Sequence, residues 1–401
     1  MRIKPMAAAV AIASALLAAC GGGGGGSGSD STGSTGSVTE STLSDVALLG
    51  EKLFNDTTLS STGKMSCASC HAKDSFHAPF DGLAVQPGAE PGQETARNSP
   101  SLRYLRYNTS FSFDKEGTPT GGFTWDGRSI SMADQARGPL LAANEMANTS
   151  IADVVAKLSR SPNAAEFRRV FGADILSRPA DAFDRLLLAL QKYQQEDPDF
   201  APFSSKFDLW LAGKVKFSEA EARGWALFND PNKGNCAACH VSTSTGNGVP
   251  PLFTDFTYDA VGAPRNTAIK ANADAAYYDL GLCGPTRQDL TGRTDLCGAF
   301  KVPSLRNVAK TGPYFHNGVF KTLVDTVRFY IRRDTHPEEF YPLGGDGLPL
   351  KFNDLPPEYR KNVNTTEAPY NRTLGDEPAL NEAEIADLVT FLETLTDGYQ
   401  P

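Results

Sequence analysis

Apolar residues recur at helical spacing in a few separated stretches of the chain, and those stretches set its predicted skeleton. In Gly50-Glu51-Lys52-Leu53-Phe54-Asn55-Asp56 and again in Gly224-Trp225-Ala226-Leu227-Phe228-Asn229-Asp230, a helical run ends in the same Leu-Phe-Asn-Asp. Further helical patterns cover about residues 150–159 and 180–196. Asn381 can cap a helix with Glu384 at the capping-box position, and Ile385, Leu388, Phe391, Leu392 and Leu395 then share one face through about Thr396. Thr322 can likewise cap a helix to about Arg332, with Leu323, Val327, Tyr330 and Ile331 on its apolar face. Long stretches rich in Gly and Pro, about 78–92 and 342–357, read as loops, and Asp197-Pro198-Asp199 suits a connection between domains. The pattern predicts a mostly α protein with few strands, made of two units of similar plan.

Composition adds little to this picture. The chain has 401 residues, 40% hydrophobic and 21% charged, enough for two globular domains with real cores. Its net charge of −9 argues against a nucleic-acid partner. The N-terminus is more informative. Arg2 and Lys4 precede an apolar stretch, Met6 to Leu16, that is too short for a lasting membrane span, and Leu17-Ala18-Ala19-Cys20 reads as a lipoprotein cleavage box. Residues 1–20 are therefore expected to form a lipoprotein signal peptide with Cys20 lipidated, and residues 21–40 a flexible Gly/Ser tether. Residues 41–200 and 201–401 are the expected N- and C-terminal domains. A plain secretory signal is the alternative. Either reading places the chain in the periplasm, with membrane contact only through a lipid anchor.

Four of the seven cysteines fall in two copies of one signature, Cys67-Ala68-Ser69-Cys70-His71 and Cys236-Ala237-Ala238-Cys239-His240. C-x-x-C-H attaches haem c: the two thiols add to the porphyrin vinyl groups and the imidazole becomes the proximal iron ligand. A lone C-x-x-C is often a redox dithiol. Two C-x-x-C-H copies predict two cytochrome c-like domains, each with one covalent haem c, and His71 and His240 on the irons. Cys283 and Cys297 remain, a predicted disulfide closing a polar loop.

Between the two signatures, Trp125-Asp126-Gly127-Arg128 is followed by Gln135, Pro139 and Glu145-Met146. Taken singly, Glu145 reads as a solvated acid and Trp125 as a core aromatic. In this order and spacing, beside two haem sites, the chain resembles the bacterial dihaem cytochrome c peroxidase family, including its MauG-type members, over nearly all of its mature length. The resemblance implies that the N-terminal haem meets hydrogen peroxide and the C-terminal haem receives or stores electrons. Trp125 would then bridge the haems, Gln135 and Glu145 would line the distal face of the first, and Pro139 would crowd that face. The chemistry agrees, because peroxide heterolysis needs a proton moved from the inner to the outer oxygen and a positioned carboxylate can move it.

Thr311-Gly312-Pro313-Tyr314-Phe315-His316-Asn317-Gly318 resembles the family's run ahead of the second haem's distal ligand, which implies Tyr330 on that iron where classical members carry methionine. No methionine follows Met146. A phenolic oxygen is the harder ligand and lowers the reduction potential. Read from its helix alone, Tyr330 is a core residue, and His316 is the rival ligand. His77 does not match the family's loop-ligand spacing and is expected in the pocket or at the surface, and His336 at the surface. The resemblance also implies a calcium ion held by Asn98 with backbone oxygens of Thr311 and Pro313, and a homodimer. Three activities follow: peroxide reduction with electrons from a small redox protein, MauG-type oxidation of a protein substrate, toward which Tyr330 tilts, and electron carriage without catalysis.

Overall fold

Ser44, Ser131, Ser150, Ser205, Ser218, Thr322 and Asn381 each accept a backbone N–H in the first turn of a helix, so short polar side chains satisfy donors that the helix itself leaves unpaired. The computed structural model describes residues 43–401, and the signal peptide, Cys20 and the tether expected over 1–40 lie outside the described residues. The helices are α1 (Asp45–Phe54), α2 (Cys67–Cys70), α3 (Met132–Leu141), α4 (Ile151–Leu158), α5 (Ala164–Phe171), α6 (Pro179–Glu196), α7 (Lys206–Leu211), α8 (Glu219–Asn229), α9 (Leu323–Arg332) and α10 (Glu382–Glu393). Strand structure among the described residues is slight. β1 (Ser112–Phe113) pairs antiparallel with β2 (Pro119–Thr120), and β3 (Tyr258–Asp259) with β4 (Phe300–Lys301).

Two helix crossings organise the molecule. α1 packs on α6 and α8 on α10, and each crossing is closed at a glycine. A Cβ on Gly50 would lie 2.0 Å from the Ala189 carbonyl oxygen, and one on Gly224 would lie 2.0 Å from that of Asp387. The repeated Gly-x-x-Leu-Phe-Asn-Asp thus marks two helices whose backbones must approach closely. α6, predicted only as a helical segment, is to the first half what α10 is to the second.

Around these crossings lie two apolar cores. Leu49, Leu53, Phe54, Phe167, Phe183, Leu186 and Leu190 belong to the first. Phe207, Phe228, Phe253, Leu388, Phe391 and Leu392 belong to the second. Residues 43–401 nevertheless form one compact unit. At the seam the buried Asp397 carboxylate accepts from Tyr104 Oη (2.8 Å) and Asn307 Nδ2 (2.7 Å). Cys283 and Cys297 form the expected disulfide, with a Cα–Cα distance of 4.9 Å. The loop it closes carries Arg287, which donates to the Asp126 carbonyl at 2.8 Å.

Candidate active site

The four residues Pro-Ser-Leu-Arg occur twice, at Pro100–Arg103 and Pro303–Arg306, and secure the two C-x-x-C-H motifs in the same manner. Ser101 Oγ donates to the Phe76 carbonyl and Ser304 Oγ to that of Leu252, both at 2.6 Å. The Leu102 N–H reaches the His77 carbonyl at 3.0 Å, and the Leu305 N–H reaches that of Phe253 at 3.3 Å. Those two carbonyls, so fixed, accept from Nδ1 of His71 (3.2 Å) and of His240 (2.9 Å). Each imidazole is oriented through one nitrogen, which leaves Nε2 as the nitrogen able to ligate a metal. Burial draws both imidazoles down, His71 to about 4 against the pull of the His77 carbonyl, so both are neutral as a metal ligand requires.

His77 departs from expectation. It is fully buried, stacked on Phe200 with ring centroids 3.9 Å apart, and neither ring nitrogen has a hydrogen-bond partner among the described residues. It occupies the place that Phe253 holds in the second half, and it serves His71 through its backbone oxygen. The expectation of a pocket or surface position is corrected: a residue recruited for its carbonyl leaves no side-chain signature. His316, the rival ligand, lies flat on Phe300 (centroids 3.6 Å apart) with Nε2 3.8 Å from the Asp354 carboxylate. His336 is half-buried, with Nδ1 2.9 Å from Thr335 Oγ1.

A second repeat lies on the opposite wall. Thr120–Leu141 maps onto Thr311–Arg332 residue for residue without a gap. Phe123 bridges Ser129 as Tyr314 bridges Phe320. Thr124 and Phe315 share left-handed φ values of 75° and 67°. Ser131 caps α3 and Thr322 caps α9, each accepting at 3.1 Å from the N–H of an aspartate three residues on. On these equivalent helices Pro139 and Tyr330 occupy the same step. Pro139, Gln135 and Glu145 line a cavity wall with Cys67, Cys70 and His71. Tyr330 lines the larger cavity with Cys236, Cys239 and His240. Burial pushes the Glu145 carboxyl above its usual range, opposed by the Arg128 guanidinium. Burial likewise raises the Tyr330 phenol, whose ring lies between Phe315 (5.6 Å) and Tyr370 (6.0 Å).

One cavity of about 570 Å³ is lined by His71, Glu145, Trp125, His240 and Tyr330 together. Trp125 is held by both halves of the chain: its indole Nε1 donates to the Asn98 carbonyl at 2.8 Å, and its own carbonyl accepts the Lys301 N–H at 2.9 Å. The next residue, Asp126, is fully buried and accepts from Arg97 at 2.7 Å, Thr124 at 2.6 Å and Arg128 at 2.9 Å. Burial alone would raise its carboxyl, but Arg97 and Arg128 hold it at about 2. Arg97 also grips Asp279 through two bonds of 2.6 and 2.7 Å. Asn98 Nδ2 donates to the carbonyls of Pro313 (2.5 Å) and Phe315 (3.4 Å), and Thr311 lines the same cavity. Sequence reasoning missed Arg97, Lys301 and the two histidine-orienting carbonyls. The doubled Pro-Ser-Leu-Arg was the signal that would have found the carbonyls.

A single cavity joining two C-x-x-C-H motifs, with Pro139 on its wall near one and Tyr330 near the other, fits a two-haem redox protein of the c type. The profile of the di-haem cytochrome c peroxidase family matches residues 44–216. The chain is 36% identical over 364 residues to the methylamine utilization protein MauG of Paracoccus denitrificans, covering 89% of this chain and 90% of that protein. It is 30% identical over 328 residues to the cytochrome c551 peroxidase of Nitrosomonas europaea, covering 78% and 84%. The diheme peroxidase BthA of Burkholderia thailandensis superposes with a TM-score of 0.81 at 40% identity, covering 88% of this chain and 86% of that one. The chain belongs to the di-haem cytochrome c peroxidase family, a mostly α fold of two cytochrome c-like domains with two covalent haem c groups.

Proposed function

We propose that this protein is a dihaem c-type peroxidase whose first half meets hydrogen peroxide and whose second half stores an electron for the reaction. The observation that carries this division is the exchange of Pro139 for Tyr330 at one step of two equivalent helices. A proline side chain has no atom that can bind iron, so a haem attached beside His71 would keep its face toward Pro139 open to substrate, whereas one attached beside His240 would be offered the Tyr330 phenol. Haem supplies the two electrons that convert peroxide and two protons to two waters. The chain supplies the rest. Glu145 takes the proton from the inner peroxide oxygen and returns it to the outer one, and Gln135 orients the peroxide. Trp125 carries charge between the halves from a position that Asn98 and Lys301 fix. Tyr330 keeps its proton in this desolvated wall unless a cation replaces it.

Asn98, Thr311 and Pro313 suit one calcium ion at the seam: three oxygens, two of them backbone, are the hard donors that Ca²⁺ prefers. The Asn98 amide, which now donates to the Pro313 carbonyl, offers its oxygen when turned over. Two cores divide the chain near residue 200, which supports domains over 41–200 and 201–401. The electron donor in this reading is a small redox protein of the periplasm, where Cys20 tethers the enzyme by lipid. Tyr330 favours a second reading, MauG-type oxidation of a partner protein, because a hard oxygen ligand stabilises the oxidised second centre.

The optical spectrum of the oxidised, haem-loaded protein tests the assignment. A high-spin component that vanishes with one equivalent of peroxide is expected; two low-spin haems inert to peroxide would reduce the protein to an electron carrier. Tyr330→Met separates the two enzymatic readings. If the second is right, the peroxide-induced spectral change at the second haem is lost while both haems stay attached. If peroxide turnover with a reduced cytochrome survives unchanged, the first stands.

A further inference from the structure

The two repeats that build the haem pockets meet each other across the seam, and they meet twice. Asn98 stands two residues before Pro100 in the first Pro-Ser-Leu-Arg run, and Lys301 stands two residues before Pro303 in the second. The backbone N–H of Asn98 donates to His316 of the opposite half at 2.7 Å, and that of Lys301 donates to Trp125 at 2.9 Å. His316 and Trp125 are equivalent positions of the other repeat. The side chains continue the correspondence. Asn98 Nδ2 lies 2.5 Å from the Pro313 carbonyl oxygen, and Lys301 Nζ lies 2.5 Å from that of Gly122, the residue equivalent to Pro313. Two residues earlier stand Thr311 and its equivalent, Thr120. The seam therefore brings a polar side chain onto a backbone carbonyl at two equivalent places, once a neutral amide and once an ammonium.

Lys301 is anomalous by ordinary standards. It is half-buried on the wall of the cavity of about 570 Å³, beside the Phe123 ring at 6.0 Å, and forms no ion pair among the described residues. Burial pulls its ammonium down to about 7, with only the Asp126 carboxylate opposing from a distance. A charge held in such a place at a cost is not explained by space filling, for which methionine would serve. The Gly122 carbonyl that receives it also accepts from Asn108 Nδ2 at 2.6 Å, so both of its lone pairs are used.

We infer that Lys301 is a tethered cation: its ammonium on the Gly122 carbonyl does there what a bound calcium ion does at the equivalent place beside Asn98, Pro313 and Thr311. The inference rests on the calcium reading given above, and extends it by explaining why one divalent ion serves a seam with two such places. An ammonium and a metal ion answer the same need, positive charge facing backbone carbonyl oxygen. A four-carbon stem delivers that charge without a ligand from solution. The place bearing Asn98 lacks that stem and depends on an ion.

Calcium content tests this directly. The haem-loaded protein, stripped with EGTA and re-equilibrated with calcium, is assayed by elemental analysis and titration calorimetry as wild type, Lys301→Asn and Lys301→Met. One calcium per chain is expected for wild type and for Lys301→Met, and two for Lys301→Asn, which puts the residue found at position 98 at the second place. One calcium in both wild type and a folded Lys301→Asn would overturn the inference, as would two in wild type. No calcium in wild type but one in Lys301→Asn would refute the calcium reading of Asn98 and still uphold the role of Lys301; none in either would refute both. Should Lys301→Asn fail to fold, Asn98→Lys decides. It should take up no calcium, and in EGTA it should unfold at the temperature of calcium-loaded wild type. A midpoint no higher than that of stripped wild type would overturn the inference.

Discussion

Glu145 is the residue on which the proposed peroxide chemistry turns, and its environment fixes the sign of its pH dependence. Burial raises its carboxyl and Arg128 only partly opposes the shift. The form that accepts the proton is the carboxylate, so the wild-type rate should fall as pH drops through a point above the usual carboxylate value of about 4. Glu145→Gln should slow the reaction by about 10²–10³-fold and lose that acid limb, with both haems still attached. Stopped-flow mixing with peroxide, from about pH 4 to about pH 8 so as to span the titration of a raised carboxyl, measures both effects. A matching change is expected at Pro139→Tyr, which puts a phenol above the first haem. The high-spin component should disappear and the peroxide reaction with it. The cysteines and histidines of both haem sites were legible in the sequence because covalent attachment demands fixed spacing. The contribution of His77 was not, since it acts through a carbonyl that every residue possesses.

At the scale of elements, the caps and apolar faces marked α4, α6, α9 and α10, and the doubled Leu-Phe-Asn-Asp marked α1 and α8. By contrast α3, α5 and α7 went unread, α3 because Gly138 and Pro139 break its helical pattern. The partners of α1 and α8 were harder to read. α10 was visible as a closing helix, whereas α6 looked like one helical segment among several, because its role is set by the crossing with α1 and not by its own pattern. The glycine at each crossing makes the claim testable. In an exposed helix Gly→Ala stabilises by up to about 1 kcal/mol. At Gly50 and Gly224 the added Cβ would fall 2.0 Å from a backbone carbonyl oxygen, so the helices must separate. Gly50→Ala and Gly224→Ala should each destabilise their half by about 2–3 kcal/mol, as overpacking does. Guanidinium unfolding followed by haem absorbance reads the change, and a stabilised variant would show that the crossing is looser than described.

Across the whole molecule the two halves are joined by charges that no local pattern announces, because the partners are distant in sequence. Arg97 and Asp279 stand 182 residues apart, yet their two hydrogen bonds, with the third to Asp126, secure the segment that carries Trp125 between the pockets. This network makes the seam acid-sensitive in a definite direction. The Asp126 carboxyl is held at about 2 in the folded chain, below the value of about 3.9 for an unfolded aspartate. Its contribution, about 2 kcal/mol, is therefore complete above about pH 4 and disappears as pH falls from there through the folded value. Asp126→Asn removes the titrating group but leaves Arg97 its pair with Asp279. Urea unfolding at a series of pH values should show wild type clearly more stable than Asp126→Asn at about pH 5, with the difference shrinking by about 2 kcal/mol toward about pH 2. A difference that stays constant over that interval would mean that the carboxylate is not held by its arginines, and that Trp125 owes its position to packing alone.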